Sequence, residues 1–342
     1  MSPDDAVPAA VTAAPTTVLL ASPRGWCAGV ERAVDTVRHI LELHGPPVYV
    51  RKEIVHNLHV VRDLESQGVI FVDYVSQIPE GARVVFSAHG VSPEVHAKAA
   101  ERGFDVVDAT CPLVTKVHKQ AIRYAREGYQ IILIGHEGHE EVEGTLGEAP
   151  DSIVLVGSVA EAEALDIGNP GKLAYITQTT LSVDETAQII RCLKQRYPQL
   201  VGPQREDICY ATTNRQVAVK QLALQTELVL VIGSENSSNS VRLAEVARES
   251  GVPAYRIDDE TQIDPAWHQG VKIVGITSGA SAPESLVNRV CDYFRDLGTT
   301  DIRPIAEVDE GVHFALPTKL RLQMVGDAPS SWGLGDDGAS DA

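Results

Sequence analysis

Apolar positions along the chain follow two alternating rhythms. Short continuous runs such as Val18-Leu-Leu, Val106-Val, Ile131-Ile-Leu-Ile and Leu228-Val-Leu-Val-Ile are bounded by small or polar residues and read as buried strands. Between them the apolar residues step by three and four. Val30, Ala33, Val34, Val37, Ile40 and Leu41 share one helical face, as do Leu113, Val114, Val117, Ala121 and Tyr124. A less regular helical pattern covers about Val217 to Leu224. Strands alternating with amphipathic helices predict an α/β protein built on parallel sheets.

The pattern also repeats. Three times a strand-to-helix turn carries a cysteine: Cys27 after Ser-Pro-Arg-Gly-Trp, Cys111 after Asp108-Ala-Thr, and Cys209 after Glu206-Asp-Ile. Pro112 sits at a helix start, where its missing N–H costs nothing. After each cysteine and its helix comes a strand that ends in a polar loop. His56, His139 and Ser237 stand in those loops, 29, 28 and 28 residues past their cysteines. A later strand ends in a second polar loop, which carries His89, Thr179 or Ser281 at 62, 68 or 72 residues. The order and spacing predict three similar units: residues 16–110, 111–208 and 209–322. The ends, 1–15 and 323–342, are expected to be disordered tails, the second acidic.

Ligands of parallel sheets gather beyond the carboxyl ends of the strands. Each cysteine and both polar loops lie at such ends. If the units pack about a pseudo-threefold axis, the three thiols converge. His56, His89, His139, Thr179, Ser237, Ser238, Asn239 and Ser281 then surround them. A thiolate is favoured at a helix N-terminus, and so is a bound anion. A single turn cysteine is ordinarily a small buried hydrophobe; three equivalent ones read as a ligand set. Cys192 and Cys291 lie inside amphipathic helical patterns and read as core.

Three thiolates without a fourth partner suit either an iron–sulfur cluster with one free iron or a catalytic zinc with an open position. Gly135-His-Glu-Gly-His139-Glu140-Glu141 is not the His-Glu-x-x-His zinc pattern. Read as a loop at a strand end, it places a histidine and a carboxylate two residues apart, suited to holding an anion and supplying a proton. Gly233-Ser-Glu-Asn-Ser237-Ser238-Asn239-Ser240 offers more hydroxyls than one helix cap needs and reads as a phosphate site.

Composition narrows the choice of partner. The 342 residues carry a net charge of −18, with no basic stripe or aromatic ladder, which argues against nucleic acid. No apolar run is long enough to span a membrane. Five widely spaced cysteines and no secretory leader suggest a cytoplasmic protein with reduced thiols or metal ligands.

Together these motifs resemble the 4-hydroxy-3-methylbut-2-enyl diphosphate reductase (LytB-type) family, from about Val18 to Leu297. The matching stretches include Arg24-Gly-Trp-Cys27-Ala-Gly-Val, Ile54-Val-His56-Asn, Ser87-Ala-His89-Gly-Val and Asp108-Ala-Thr-Cys111-Pro. Further on they include Gly138-His139-Glu-Glu141-Val-Glu-Gly-Thr, Thr177-Gln-Thr179-Thr, Asp207-Ile-Cys209-Tyr-Ala-Thr-Thr-Asn-Arg, Asn236-Ser237-Ser238-Asn239-Ser and Ser278-Gly-Ala-Ser281-Ala-Pro. One residue departs: the family usually has proline where this chain has Glu140. The resemblance implies a trefoil of three units around one [4Fe-4S] cluster held by Cys27, Cys111 and Cys209. It implies that His56, His89, His139, Ser237, Ser238, Asn239 and Ser281 hold a diphosphate, that Thr179 orients the substrate hydroxyl and that Glu141 supplies protons. The reaction would be reductive loss of that hydroxyl, giving isopentenyl and dimethylallyl diphosphates in the last step of the methylerythritol phosphate route. No GxGxxG fingerprint is present, so electrons would come from a separate ferredoxin or flavodoxin. Two rivals use the same residues: a zinc-dependent hydrolase of a phosphorylated metabolite, and a non-catalytic iron–sulfur sensor.

Overall fold

The computed structural model describes residues 14–168 and 170–326. The chain opens on β1 (Thr17–Leu20). Then follow α1 (Ala28–His44), β2 (Val48–Arg51), α2 (Leu58–Ser66), β3 (Val69–Val72), β4 (Arg83–Phe86), α3 (Pro93–Glu101) and β5 (Asp105–Asp108). The middle third holds α4 (Pro112–Arg126), β6 (Gln130–Ile134), α5 (Glu140–Leu146), β7 (Ile153–Val156), α6 (Val159–Ala164), β8 (Leu173–Thr177) and α7 (Val183–Arg196). The last third holds α8 (Tyr210–Ala223), β9 (Leu228–Ile232), α9 (Ser238–Glu249), β10 (Ala254–Ile257), β11 (Ile273–Ser278), α10 (Glu284–Asp296), β12 (Asp301–Pro304) and α11 (Thr318–Gly326).

These strands form three wholly parallel sheets, ordered β3-β2-β4-β5, β7-β6-β8 and β10-β9-β11-β1-β12. Each sheet has an apolar cluster on both faces. In the third, Leu228, Leu230 and Ile232 of β9 point to one cluster and Val229 and Val231 to the other. Burial on both faces is why this strand reads as an unbroken apolar run rather than an alternation.

The sheets share one plan, and it differs from a division at 16–110. A central strand (β2, β6 or β9) lies between the strand that follows it and a fourth strand. Beyond the fourth strand lies the segment that leads to the next cysteine. That segment is β5 in the first sheet and Val201, bridged to Ala174, in the second. In the third it is β1, paired with β11 as Thr17↔Ile273 and Leu20↔Ile276. So β1, expected to head the first unit, is a strand of the third. Pairing between segments so far apart leaves no trace in local periodicity. The ring of units closes through the start of the chain.

The other end crosses over too. Leu320 of α11 is fully buried in the core of the first unit, and Leu316 and Met324 pack against it. Lys319 Nζ donates to Val106 O at 2.8 Å. Residues 323–326 therefore continue a helix rather than begin a tail, and 318–322 pack on the first unit rather than the third. Of the remaining tail expectation, residues 1–13 and 327–342 lie outside the described residues.

Two further local differences have physical causes. Helix α8 starts directly after Cys209, well before Val217, where polar side chains fill much of the buried face of its first half. Arg215, Gln216 and Thr212 are all within 2% of complete burial, so the helix shows little amphipathic period. The acidic stretch at 135–145 is a loop only as far as His139; Glu140 to Leu146 form α5. Its early glutamates suit the positive end of the helix dipole. No helix among the described residues is long and apolar enough to cross a membrane.

Candidate functional site

The three turn cysteines hold the same position in their units. Cys27, Cys111 and Cys209 are the N-cap residues of α1, α4 and α8. Each backbone N–H donates to a carbonyl in the second polar loop of the unit before it. Cys111 N bonds Ala88 O at 2.9 Å, Cys209 N bonds Thr179 O at 3.0 Å, and Cys27 N bonds Ala280 O at 3.2 Å. This one repeated bond ties each cysteine to the neighbouring unit and carries the threefold relation into the site.

The thiols meet. A methyl group built on Gly29 would lie 2.7 Å from Cys111 Sγ and 3.8 Å from Cys27 Sγ. Cys209 Sγ lies 3.2 Å from Thr212 Oγ1 and also accepts from Thr212 N at 3.4 Å. Burial first, then the neighbouring sulfur of Cys27, pushes the Cys111 thiol up to about 12 and the Cys209 thiol up to about 11. Three close sulfurs repel each other as thiolates, so the set suits an electropositive group seated among them.

All twelve site residues expected from the sequence, the three cysteines included, line one pocket. One wall is a pair of stacked imidazoles. The rings of His56 and His89 lie 4.0 Å apart and 19° from parallel. His139 meets both edge-on, at 5.4 Å and 5.9 Å. His56 Nδ1 faces Glu53 Oε2 at 3.1 Å, and Asn236 Nδ2 donates to the same oxygen at 2.7 Å. Burial and then the nearby His89 lower the His56 pKa. Burial, followed by His89 and His56, pushes His139 down to about 2. His139 is thus neutral. Its Nδ1 accepts from Glu141 N at 3.1 Å, so its proton sits on Nε2.

Beside His139 lies the acid. Glu141 is 2% exposed. Its Oε1 accepts from Thr179 N at 2.7 Å and its Oε2 from Thr179 Oγ1 at 2.9 Å. Burial raises this carboxyl to about 7 against the opposing pull of the two Thr179 bonds. The floor belongs to the third unit. Ser237 caps α9, accepting from Ser240 N at 3.3 Å, and its Oγ lies 3.4 Å from Ser281 Oγ. Ser281 Oγ donates to His56 O at 2.8 Å, and Ser238 Oγ donates to Thr180 O at 3.2 Å. Asn239 Oδ1 accepts from Ala280 N at 2.9 Å, while its Nδ2 donates to Thr212 Oγ1 at 3.3 Å. Asn239 thus links the Ala280 loop to the helix of Cys209.

Cys192 packs at the edge of the second unit's core, and Cys291 lies 2% exposed in a core of the third. His136 is outside the pocket; its backbone N–H is held by Gln178 Oε1 at 3.0 Å. Sequence reasoning passed over three supports. Gly29 makes room for a sulfur, a role hinted at only by its place two residues after a cysteine. Thr212 contacts another sulfur. Fully buried Arg215 donates to Gly25 O at 2.7 Å and pairs with both oxygens of Glu310, gripping the turn before Cys27.

Fold and pocket together define a class: three α/β units meeting head to head around one thiol-ringed, histidine-walled pocket that holds a buried acid. The family model of "LytB protein" matches residues 18–295. The chain belongs to the LytB protein family. It is 56% identical over 310 residues to a 4-hydroxy-3-methylbut-2-enyl diphosphate reductase of Leifsonia xyli, covering 90% of this chain and 92% of that one. It is 57% identical over 305 residues to the reductase of that name from Rhodococcus opacus, covering 89% and 91%. Among solved structures, the E-1-hydroxy-2-methyl-but-2-enyl-4-diphosphate reductase of Plasmodium falciparum superposes with a TM-score of 0.88 at 36% identity, covering 91% of this chain and 98% of that one.

Proposed function

We propose that this chain is an oxidoreductase that converts 4-hydroxy-3-methylbut-2-enyl diphosphate to isopentenyl and dimethylallyl diphosphates. The observation that carries the reading is the shared pocket: three buried thiols, a carboxyl raised to about 7 and a histidine–serine wall face one space. The donor set fits a [4Fe-4S] cluster on Cys27, Cys111 and Cys209, since soft thiolates with no fourth protein ligand leave one iron free. When bound, such a cluster supplies Lewis acidity and one-electron transfers.

The protein's own residues do the rest. His56, His89, His139, Ser237, Ser238, Asn239 and Ser281 bind the diphosphate by hydrogen bonds. That is how an anion is held in a protein of net charge −18. Thr179 orients the substrate hydroxyl beside Glu141. Loss of that hydroxyl as water consumes two electrons and two protons. Glu141, poised near neutrality, delivers a proton to the leaving oxygen. The stacked histidines exclude bulk water from one side. Electrons come from an external carrier such as a ferredoxin or flavodoxin, in a cytoplasmic setting that keeps the thiols reduced.

The zinc-hydrolase alternative finds no support: the relatives described above are named as reductases. Anaerobic purification tests the proposal. The expected protein is brown, holds iron and sulfide, and turns over the diphosphate alcohol with reduced viologen. A colourless protein with one zinc, or an intact cluster without turnover, refutes it; the second result would indicate a sensor.

A further inference from the structure

Glu140, the residue that departs from the family pattern, is not idle in the pocket wall. Its Oε2 stands 3.1 Å from His89 Nδ1, and both side chains are only 14% exposed. The contact is a close charge pair, not a well-aligned hydrogen bond, and neither atom has a hydrogen-bonding partner among the described residues. The arrangement mirrors Glu53 on His56 Nδ1, also 3.1 Å away. Each of the two stacked rings therefore has a carboxylate at Nδ1 and an opposite nitrogen, Nε2, left for the pocket. A neutral imidazole that gives its Nδ1 proton to a carboxylate can only accept at Nε2; an imidazolium donates at both. The donor atoms of His56, His89 and Glu140 lie within 4.8 Å of one another. Yet the two rings are nearly parallel, so their in-plane lone pairs run side by side rather than converge on one ion. Parallel N–H groups suit an oxyanion better.

We propose that Glu140 is a positioning residue for anion binding: it holds a proton on His89 Nδ1, so that His89 Nε2–H meets the diphosphate alongside His56. This rests on the diphosphate reading of the pocket given above. The surroundings agree. Burial alone would raise the Glu140 carboxyl, but the close contact with His89 and the charges of His89, His56 and Lys52 outweigh it and leave it below its ordinary value. The charged and titratable neighbours are His56, Glu53 and Lys52 from the β2–α2 loop and His139 from its own loop. Outside Glu140, the adjoining cleft adds Arg51, Lys98, Glu94 and Glu143. Position 140 is the first residue of α5, where even proline is tolerated, so the carboxylate is not required by the helix.

Pyrophosphate is the probe, titrated calorimetrically into the anaerobic cluster-loaded protein in two buffers of different ionisation enthalpy. The variants are Glu140→Gln and, as a second shape without the carboxylate, Glu140→Pro. At pH 8 both should bind about tenfold more weakly than the parent. Below about pH 5.5, where histidine is protonated unaided, the gap should close. Near neutral pH the variants should take up extra protons on binding, up to about one per site. A gap of equal size at every pH, or tighter binding by the variants, overturns the proposal and leaves the diphosphate pocket standing. Failure of the parent protein to bind pyrophosphate overturns the pocket reading and the proposal together.

Discussion

Glu141 shows how far burial alone tunes a residue. The side chain is an ordinary glutamate, raised to about 7 by loss of water and held back from rising further by Thr179. Because its folded pKa lies above its unfolded one, the contribution of Glu141 to stability falls as pH rises from about 4.5 to 7 and is flat above that. Glu141→Gln should abolish this dependence, so the apoprotein's melting temperature will exceed the parent's by a margin that grows across that window. An unchanged margin would contradict it. The same variant should lower turnover by about 100-fold or more, the ordinary range for a lost general acid, with iron content unchanged. Residue chemistry of this kind was legible in advance where a motif carried it: cysteines at helix starts and a histidine next to acids. Glu140 was visible only as a departure, because its partner, His89, lies 51 residues earlier in the chain.

At the scale of elements, the site depends on helix starts that are held by their neighbours. Gly29 in the first turn of α1 lies against two sulfurs, and any side chain there would occupy the space of Cys111 Sγ. Gly29→Ala should fold but lose iron, as measured by metal analysis after anaerobic reconstitution; full iron retention would show that α1 can shift to make room. Arg215 fastens α8 to the turn before Cys27 and to Glu310. Arg215→Met leaves those oxygens without their donor and should cost about 3 kcal/mol in denaturant unfolding. A loss under about 1 kcal/mol would mean the turn is held otherwise. Helices α1 and α4 were plain in the sequence because each buries one apolar stripe. Helix α8 was not, because Thr212, Arg215 and Gln216 break its buried apolar stripe, and Arg215 and Gln216 bond to distant segments of the chain. Hydrophobic rhythm records burial by oil and misses burial by hydrogen bonds.

At the scale of the molecule, three units were legible from repeated spacing, but their edges were not. Which sheet a strand joins is decided by packing between distant segments, and β1 and α11 both join units other than the ones their positions suggest. Deleting residues from 305 onward removes Leu320 from the first unit's core and Glu310 from Arg215. It also removes Ala315 O, which accepts from Arg32 Nε at 2.8 Å. Hydrogen exchange should then quicken in α1 and β5, far along the chain from the cut. Exchange raised in the third unit alone would refute this coupling.

The partnership of β1 with β11 has a consequence for biosynthesis. Thr16 and Lys272, joined just ahead of these two strands, are separated by 256 residues. During translation the opening strand emerges early and waits, without its partner, until most of the polypeptide has been made. Contacts of such long range form late and slowly. The Cys27 N–H gains its acceptor only when Ala280 arrives, so a product terminated before that residue lacks the bond that ties Cys27 to the third unit. Closure of the ring around the three sulfurs thereby waits for the third unit.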